Sequence, residues 1–296
     1  AGAGKRELPH GPFELRREID QVVGLFSARA HDKGFELAAH IARDVPAVIH
    51  GDPLRVRQVL GNLVGNAVKF TEAGAVLLSV DTVEGTGTSC TLELAVIDTG
   101  VGVPLAEQQR IFEAFEQADG SVTRKFGGTG LGLAISRQLV DLMKGSMGLR
   151  SEPGVGSRFH FRIPAGVPPK EAPSLSPDAE LGGIVVGVHP ALQGAVTETL
   201  RAECARVINV DSAGAAIESF ALFGPQFQRL RVVIDANATA RLEQAVSGLR
   251  AAVGARELEV LALLPPDAEA APIAGVSRSL VKPLCTLDLV GAAGPV

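Results

Sequence analysis

The chain has 296 residues, enough for two ordinary domains, since single hydrophobic cores rarely grow beyond about 250 to 300 residues. Its formal net charge is −5, with 28 basic and 33 acidic residues and only 4% aromatic residues. Nucleic-acid binders concentrate basic and aromatic residues, so this composition excludes a bulk nucleic-acid interface. The three cysteines are widely spaced, and no run approaches the roughly 18 apolar residues of a membrane helix. We therefore predict a cytoplasmic chain with reduced thiols and no membrane segment.

The first part of the chain alternates helical and strand patterns. Helical spacing over 13–33 ends at Gly34, a strand is predicted over 35–41, and Asp52-Pro53 predicts the cap and first turn of a helix that reaches residue 71. The elements predicted next are strands over 75–83 and 91–97, a short helix over 105–112, a helix over 131–143, and strands over 147–151 and 157–163. This order predicts an α/β sandwich with a mixed sheet.

Prolines interrupt residues 165–180 and predict a linker between a block at 10–164 and a block at 181–296. In the second block, strand patterns alternate with helical ones. The predicted strands are 184–188, 206–210, 231–236, 258–264 and 277–283, and the predicted helices are 191–202, 213–220 and 240–253. Alternating strands and helices predict a flavodoxin-like, doubly wound parallel sheet.

The helix that begins at Pro53 carries polar side chains at helical spacing. Gln58, Asn62, Asn66 and Lys69 lie along one of its faces. Carboxamide oxygens suit Mg²⁺ that bridges phosphates, and a lysine one turn further can bind phosphate oxygens. An amphipathic helix with a plain polar side explains the same spacing equally well.

An acid stands at the end of a predicted strand, in front of a glycine-rich turn. Asp98 is followed by TGVGVP at 99–104. An ionised carboxylate only accepts hydrogen bonds, so it would bind the amino group of adenine and reject the carbonyl of guanine. Taken alone, the segment is more typical of a simple Asp-Gly turn between a strand and a helix.

A second glycine-rich segment, FGGTGLGL at 126–133, leads directly into the helix predicted over 131–143. Backbone N–H groups that no side chain covers, at a helix N-terminus, suit a polyphosphate. The segment lacks the Gly-Lys-Ser/Thr of a P-loop and the G-x-G-x-x-G of dinucleotide folds, so both of those motifs are excluded.

Together these segments resemble the catalytic ATP-binding domain of histidine kinases, with its Bergerat-type fold, over residues 10–164. The motifs that carry the resemblance are similar to the family's asparagine box (NLVGNAVKFT, 62–71), first glycine box (DTGVGVP, 98–104), phenylalanine box (IFEAFEQ, 111–117), second glycine box (GGTGLGLAIS, 127–136) and closing glycine box (GVGSRFHF, 154–161). Each motif alone is weak, but five in this order are specific.

The resemblance implies ATP and Mg²⁺ as cofactors. It assigns Asn62 and Asn66 to Mg²⁺ and phosphates, Lys69 to phosphate, and Asp98 to adenine. The other implied positions are pocket glycines, backbone amides that face the phosphates, and two basic lid residues: Gly100, Gly102, Gly128, Thr129, Gly130, Leu131, Gly132, Arg124 and Lys125. The predicted lid spans 113–126, with Phe112 and Phe115 as its hydrophobic latch.

The activity implied by the resemblance is transfer of the ATP γ-phosphoryl group to a histidine on a partner helix. None of the six histidines stands in the expected His-Glu/Asp-x-Arg-Thr-Pro-Leu motif, and His31 is followed by Asp-Lys-Gly instead. We therefore expect the dimerisation and phosphoacceptor helices to be missing, with residues 1–9 as the end of a connector from them. The implied partners are those helices, a downstream receiver or response regulator, and a second copy in a homodimeric full-length protein. The cytosolic part of a membrane-anchored sensor is an alternative location.

The second block resembles response-regulator receiver domains, an architecture fused to hybrid histidine kinases. Asp235 ends the third predicted strand and Lys282 follows the fifth, as the phosphoacceptor aspartate and the lysine of a receiver do. The expected acidic pair is replaced by GVHP at 187–190, and the expected Ser or Thr by LLPP at 263–266. Without those acids Mg²⁺ is poorly held. We predict a regulatory pseudo-receiver, leaving open a phosphorylatable Asp235, a plain loop acid, and a small ligand of the module.

Two other function classes compete with a kinase. An ATP-gated clamp that shares this nucleotide fold would need a glutamate on the carboxamide helix to activate water, where this sequence has asparagines. A non-catalytic scaffold that binds ATP only for structure or sensing is the second alternative.

Overall fold

The computed structural model describes residues 11–86, 88–113, 131–167, 177–222, 224–268 and 272–289. Contacts divide the chain into two compact units, called here the first unit (Ala1–Phe26 and Asp44–Glu171) and the second unit (Ser27–Arg43 and Ala172–Val296). Among the described residues, none of the helices combines the length and the apolar character that crossing a bilayer requires.

The helices and strands alternate along the chain. The described helices are α1 (Leu15–Asp32), α2 (Pro53–Phe70), α3 (Gly132–Leu142), α4 (Pro190–Arg201), α5 (Ala213–Leu222) and α6 (Leu242–Val253). The described strands are β1 (Gly11–Glu14), β2 (Glu36–Ile41), β3 (Val48–Gly51), β4 (Ala75–Thr86), β5 (Ser89–Asp98), β6 (Ser146–Glu152), β7 (Gly156–Gly166), β8 (Asp178–Val186), β9 (Cys204–Val210), β10 (Arg229–Asp235), β11 (Glu257–Leu264), β12 (Arg278–Val281) and β13 (Leu284–Cys285).

The first unit packs helices on one sheet. Its strands follow the order β1-β3-β7-β5-β4, with β6 also paired to β7, and these neighbours run antiparallel. Helix α2 starts as the sequence predicts, because Oδ1 of Asp52 accepts a hydrogen bond from the Arg55 N–H at 3.1 Å and Pro53 occupies the first turn. Its buried side contributes apolar side chains to the core: Val56, Val59, Leu60, Leu63, Val64, Ala67 and Val68.

The second unit contains an all-parallel sheet of five strands, in the order β12-β11-β10-β8-β9. Counted within this sheet, the first strand along the chain lies between the second and the third, which is the flavodoxin-like order. Its three central strands are buried almost continuously, as in parallel sheets covered on both faces. The predicted α/β class, with a parallel second sheet, is therefore confirmed.

The short helix predicted over 105–112 is wrong in its first part. Residues 105–109 form turns, and only Arg110–Phe112 make one turn of 3₁₀ helix. The Gln108 side chain donates hydrogen bonds to the backbone oxygens of Val103 and Ser151, at 3.0 and 2.9 Å. These contacts hold the segment to the loop that follows β5, a long-range effect that helical spacing does not reveal.

Short strands and strand ends were not predicted from the sequence. β1 and β3 have four residues each and β13 has two, too few for an alternating pattern to be recognised. Strand β8 begins at Asp178, inside the predicted linker, where it pairs with Cys204 of β9. The backbone partner across the sheet, rather than local composition, decides where these strands start.

Candidate nucleotide site

Helix α2 presents the predicted carboxamide face away from its core side. Asn62, Asn66 and Lys69 are half-buried, whereas Gln58, one turn earlier, is exposed. The Nζ atom of Lys69 lies 4.7 Å from the centre of the Phe70 ring, close enough for a cation–π contact. The face is therefore partly shielded from water, unlike the fully solvated polar side of an ordinary amphipathic helix.

The start of helix α3 lies against this face. The Nδ2 atom of Asn62 donates a hydrogen bond to Ser136 Oγ at 2.8 Å, and a methyl group on Gly132 would lie 2.4 Å from Asn62 Oδ1. Glycine at 132 thus allows the first turn of α3 to approach the asparagine. An amide nitrogen only donates, so Oδ1 is the atom of Asn62 that is suited to bind a cation, and the bond to Ser136 fixes the side chain.

Asp98 is the last residue of β5 and is only 7% exposed. Its Oδ1 atom accepts a hydrogen bond from the Gly100 N–H at 2.9 Å. Burial raises the pKa of the Asp98 carboxyl, and hydrogen bonds from the backbone of Gly100 and Ser157 oppose that shift in part. A buried acid at a strand end, held in place by backbone donors, is a preorganised acceptor for a ligand amine.

The glycines around Asp98 are required by close backbone contacts. A methyl group on Gly100 would lie 2.6 Å from the Phe70 carbonyl oxygen, at the end of α2. Gly102 has a φ of +70°, and a methyl group there would lie 2.1 Å from the Glu152 carbonyl oxygen. The loop after β5 is thus packed between the carboxamide helix and the turn that joins β6 to β7.

Gly156 is the position in this turn where a side chain should be most damaging. Its φ is +138°, and a methyl group would lie 2.0 Å from the Asp98 carbonyl oxygen, whereas Gly154, with φ of +78°, has nothing within 4 Å. We expect Gly156→Ala to lower the free energy of unfolding by about 3 kcal/mol, and Gly154→Ala by about 1 kcal/mol from backbone strain alone. Urea denaturation of both variants checks the difference, and equal losses would contradict the close packing at Gly156.

The described part of the chain thus brings the predicted residues into two groups. One consists of Asn62 with Gly132, and the other of Asp98 with Gly100. Leu131 directly precedes α3. The other predicted lid and phosphate positions lie outside the described residues: Arg124, Lys125, Gly128, Thr129, Gly130 and Phe115.

Sequence reasoning missed three polar contributors and one aromatic one. Ser136 holds Asn62, the Thr99 Oγ1 atom accepts from the Ala75 N–H at 3.0 Å, and the Ser151 Oγ atom accepts from the Val103 N–H at 2.7 Å. Phe112 meets Phe159 edge to face at 6.4 Å between ring centres. Only Ser136 gave a signal in the sequence, because it lies one helical turn after Gly132 and so on the same face.

The predicted receiver-type residues lie in the second unit. Asp235 is the last residue of β10, and its Oδ2 atom accepts a hydrogen bond from Lys282 Nζ at 2.7 Å. Its Oδ1 atom accepts another from the Asn237 N–H at 3.0 Å, so the carboxylate also caps the short 3₁₀ turn that follows. The two residues that the resemblance to receiver domains singled out are therefore in direct contact.

Comparison with known proteins relates the first unit to a family of ATPases. A family model described as the histidine kinase-, DNA gyrase B- and HSP90-like ATPase matches residues 51–167. The histidine-protein kinase BarA of Shigella flexneri is 46% identical over 176 residues, covering 58% of this chain and 19% of that protein. The sensor protein GacS of Pseudomonas syringae pv. syringae is 40% identical over 188 residues, covering 63% and 20%. The chain thus spans about a fifth of the length of these curated relatives.

A solved structure, full-length ShkA in complex with AMPPNP, superposes with a TM-score of 0.75 at 30% identity. That match covers 97% of this chain and 57% of ShkA.

The sheet, the carboxamide helix and the glycine-flanked acid define an ATP-binding domain of the type shared by histidine kinases, gyrase and HSP90. Within that class, the matched domain is a histidine kinase catalytic domain, similar to those of the histidine-protein kinase BarA and the sensor protein GacS. The parallel sheet of the second unit is consistent with a receiver domain.

Proposed function

We propose that the first unit binds Mg²⁺-ATP and transfers its γ-phosphoryl group to a histidine on a dimerisation helix outside this chain. Asp98 accepts a hydrogen bond from the adenine amino group. The Asn62 and Asn66 carboxamides bind the Mg²⁺ that neutralises the phosphates. Lys69 and the amides at the start of α3 bind phosphate oxygens. Phosphoryl transfer depends mainly on positioning and charge neutralisation, which these groups supply without a catalytic base.

The observation that carries this proposal is the contact between Asn62 and the first turn of α3. The 2.8 Å hydrogen bond to Ser136 fixes the asparagine, and Gly132 leaves its Oδ1 atom beside a helix N-terminus. A cation ligand and a group of anion-binding amides are thereby adjacent, which is what a metal-bound polyphosphate requires.

An ATP-gated clamp is less compatible with the carboxamide helix. Every residue of α2 is described, and none is Asp or Glu, so this helix has no acid to activate a water molecule. Transfer to a histidine, which is itself the nucleophile, needs no such acid.

We further propose that the second unit regulates without being phosphorylated. Both carboxylate oxygens of Asp235 have partners, Asn237 and Lys282, and the side chain is buried. A methyl group on Gly187 would lie 2.0 Å from Ala238 Cβ, so the loop that replaces the expected acids packs tightly against the turn after Asp235. Among the described residues, no group of three or more His, Cys, Asp or Glu side chains is placed to hold a metal ion.

The proposal is tested by adding a separate dimerisation-helix protein that contains the acceptor histidine, with Mg²⁺ and γ-labelled ATP. Label is expected on the added protein at the same rate for the wild type and for Asp235→Ala, and none is expected on this chain. Label on Asp235 would overturn the regulatory assignment. Release of free phosphate without any protein label would instead favour an ATPase.

A further inference from the structure

Strand β2 and the short strand β13, both in the second unit, form a parallel pair. Leu284 lies opposite Ala38, and Cys285 lies opposite Ala39. The two partners of each pair are therefore 246 positions apart in the chain. A strand of two residues supplies few backbone hydrogen bonds, so side-chain contacts beside it contribute to selecting this register.

Two side-chain contacts lie on either side of the strand pair and join residues with the same separation along the chain. The Nζ atom of Lys282 donates a hydrogen bond to Glu36 Oε1 at 2.8 Å, and His40 Nδ1 lies 3.0 Å from Thr286 Oγ1. Both contacts join residues 246 positions apart, as the paired residues of β2 and β13 are. Positions two apart in a strand lie on one face, so Glu36, Ala38 and His40 meet their partners on the same side.

Lys282 is the most constrained of these groups. Its side chain is 8% exposed and binds two carboxylates, Asp235 at 2.7 Å and Glu36 at 2.8 Å, with side-chain exposures of 6% and 21%. A buried ammonium group needs partners for its three donors. A buried ion pair offsets its desolvation only when its geometry is good. A slip of β2 by one residue would turn Glu36 to the opposite face and leave Lys282 with Asp235 alone.

Arg43, which lies two residues after β2, also contacts another part of the second unit. The Arg43 guanidinium donates to the Ala202 carbonyl oxygen at 3.0 Å and to Glu203 Oε1 at 3.2 Å. Ala202 and Glu203 come directly after helix α4, whereas Lys282 comes directly after β12. The segment from Glu36 to Arg43 is thus held at both ends and in the middle.

We propose that the second unit uses its receiver-type lysine, Lys282, to bind strand β2 of its own chain in a single register, with Glu36 as the acid that the lysine selects. The inference rests on the proposed regulatory role of the second unit, because Lys282 serves here as a docking residue instead of a phosphoryl-binding one. Glu36 and the Asp235 carboxylate share the same ammonium group.

Hydrogen exchange of the whole chain, measured by mass spectrometry on peptides that cover 36–41 and 284–289, tests this docking. Glu36→Gln and Lys282→Met are each expected to speed exchange in both peptides by about tenfold, because each removes the selecting contact. The double variant should exchange no faster than the faster single variant, because both changes break one interaction. Asp235→Asn should leave exchange unchanged or slower, because Lys282 then has Glu36 as its only anionic partner.

The matched control is Glu218→Gln on the exposed side of α5, which should exchange like the wild type. Wild-type exchange in both Glu36→Gln and Lys282→Met overturns the proposal, and so does acceleration by Asp235→Asn as large as that by Glu36→Gln. Should Lys282→Met fail to fold, the comparison of Glu36→Gln with Asp235→Asn still decides. The measurement needs no nucleotide, so its outcome is separate from the labelling result that tests the proposed function.

Discussion

Asn66→Ala is expected to reduce labelling of an added histidine protein at least about a hundredfold. Asn66 is half-buried on the same face of α2 as Asn62, one turn further along the helix. If it binds Mg²⁺ through its carboxamide oxygen, its loss leaves phosphate charge incompletely neutralised during transfer, an effect of about 10²- to 10³-fold for a single positioned group. Alanine is a better helix former than asparagine, so the free energy of unfolding should change by less than about 1 kcal/mol.

Magnesium concentration separates a metal ligand from a merely structural residue. A weakened metal site binds at higher Mg²⁺, so the labelling rate of Asn66→Ala should rise with Mg²⁺ over a range where the wild type is saturated. Gln138→Ala, on the exposed side of α3, removes a carboxamide of the same kind and should label at the wild-type rate. The metal assignment fails if a folded Asn66→Ala variant labels at half the wild-type rate or more.

Local sequence signals were sufficient for most of the fold. Asp52, Pro53 and the apolar stripe predicted α2 almost to the residue, because capping and amphipathic spacing both act within a few positions. The parallel sheet of the second unit was predicted for a similar reason, since its strands are long apolar runs separated by helices. Asp98 and Asp235 were correctly placed at strand ends.

Contacts between distant parts of the chain were beyond such signals. The Ser136 hydroxyl that holds Asn62 is 74 positions away, and the Glu36 carboxylate that binds Lys282 is 246 positions away. Ser136 is the last residue of the second glycine box, but that motif does not indicate its bond to Asn62, and Glu36 stands in no recognisable motif. Their importance depends on which elements the fold brings together, and a single sequence does not encode that locally.

Asp98→Asn is expected to weaken ATP binding roughly 10- to 100-fold, the range for loss of a hydrogen bond to a charged group. The substitution keeps the shape of the side chain and an oxygen that can accept from the Gly100 N–H, so the loop after β5 should stay folded. An amide that presents its NH₂ group to the adenine amine repels it, whereas the same NH₂ group can donate to the carbonyl of guanine. The preference for ATP over GTP should therefore fall together with the affinity, and calorimetry with both nucleotides measures the two changes.

The pH dependence of binding distinguishes adenine recognition from a structural role of Asp98. Burial raises the pKa of this carboxyl, so the ionised acceptor is lost sooner on acidification than an exposed aspartate would be. The ratio of wild-type to Asp98→Asn affinity should shrink as pH falls towards that pKa, because the protonated wild type no longer carries the charge that the variant lacks. Comparing the ratio cancels the protonation of ATP itself. Asp81→Asn, in the neighbouring strand β4, should bind like the wild type at every pH, and a constant wild-type to Asp98→Asn ratio across the titration would exclude Asp98 as the adenine acceptor.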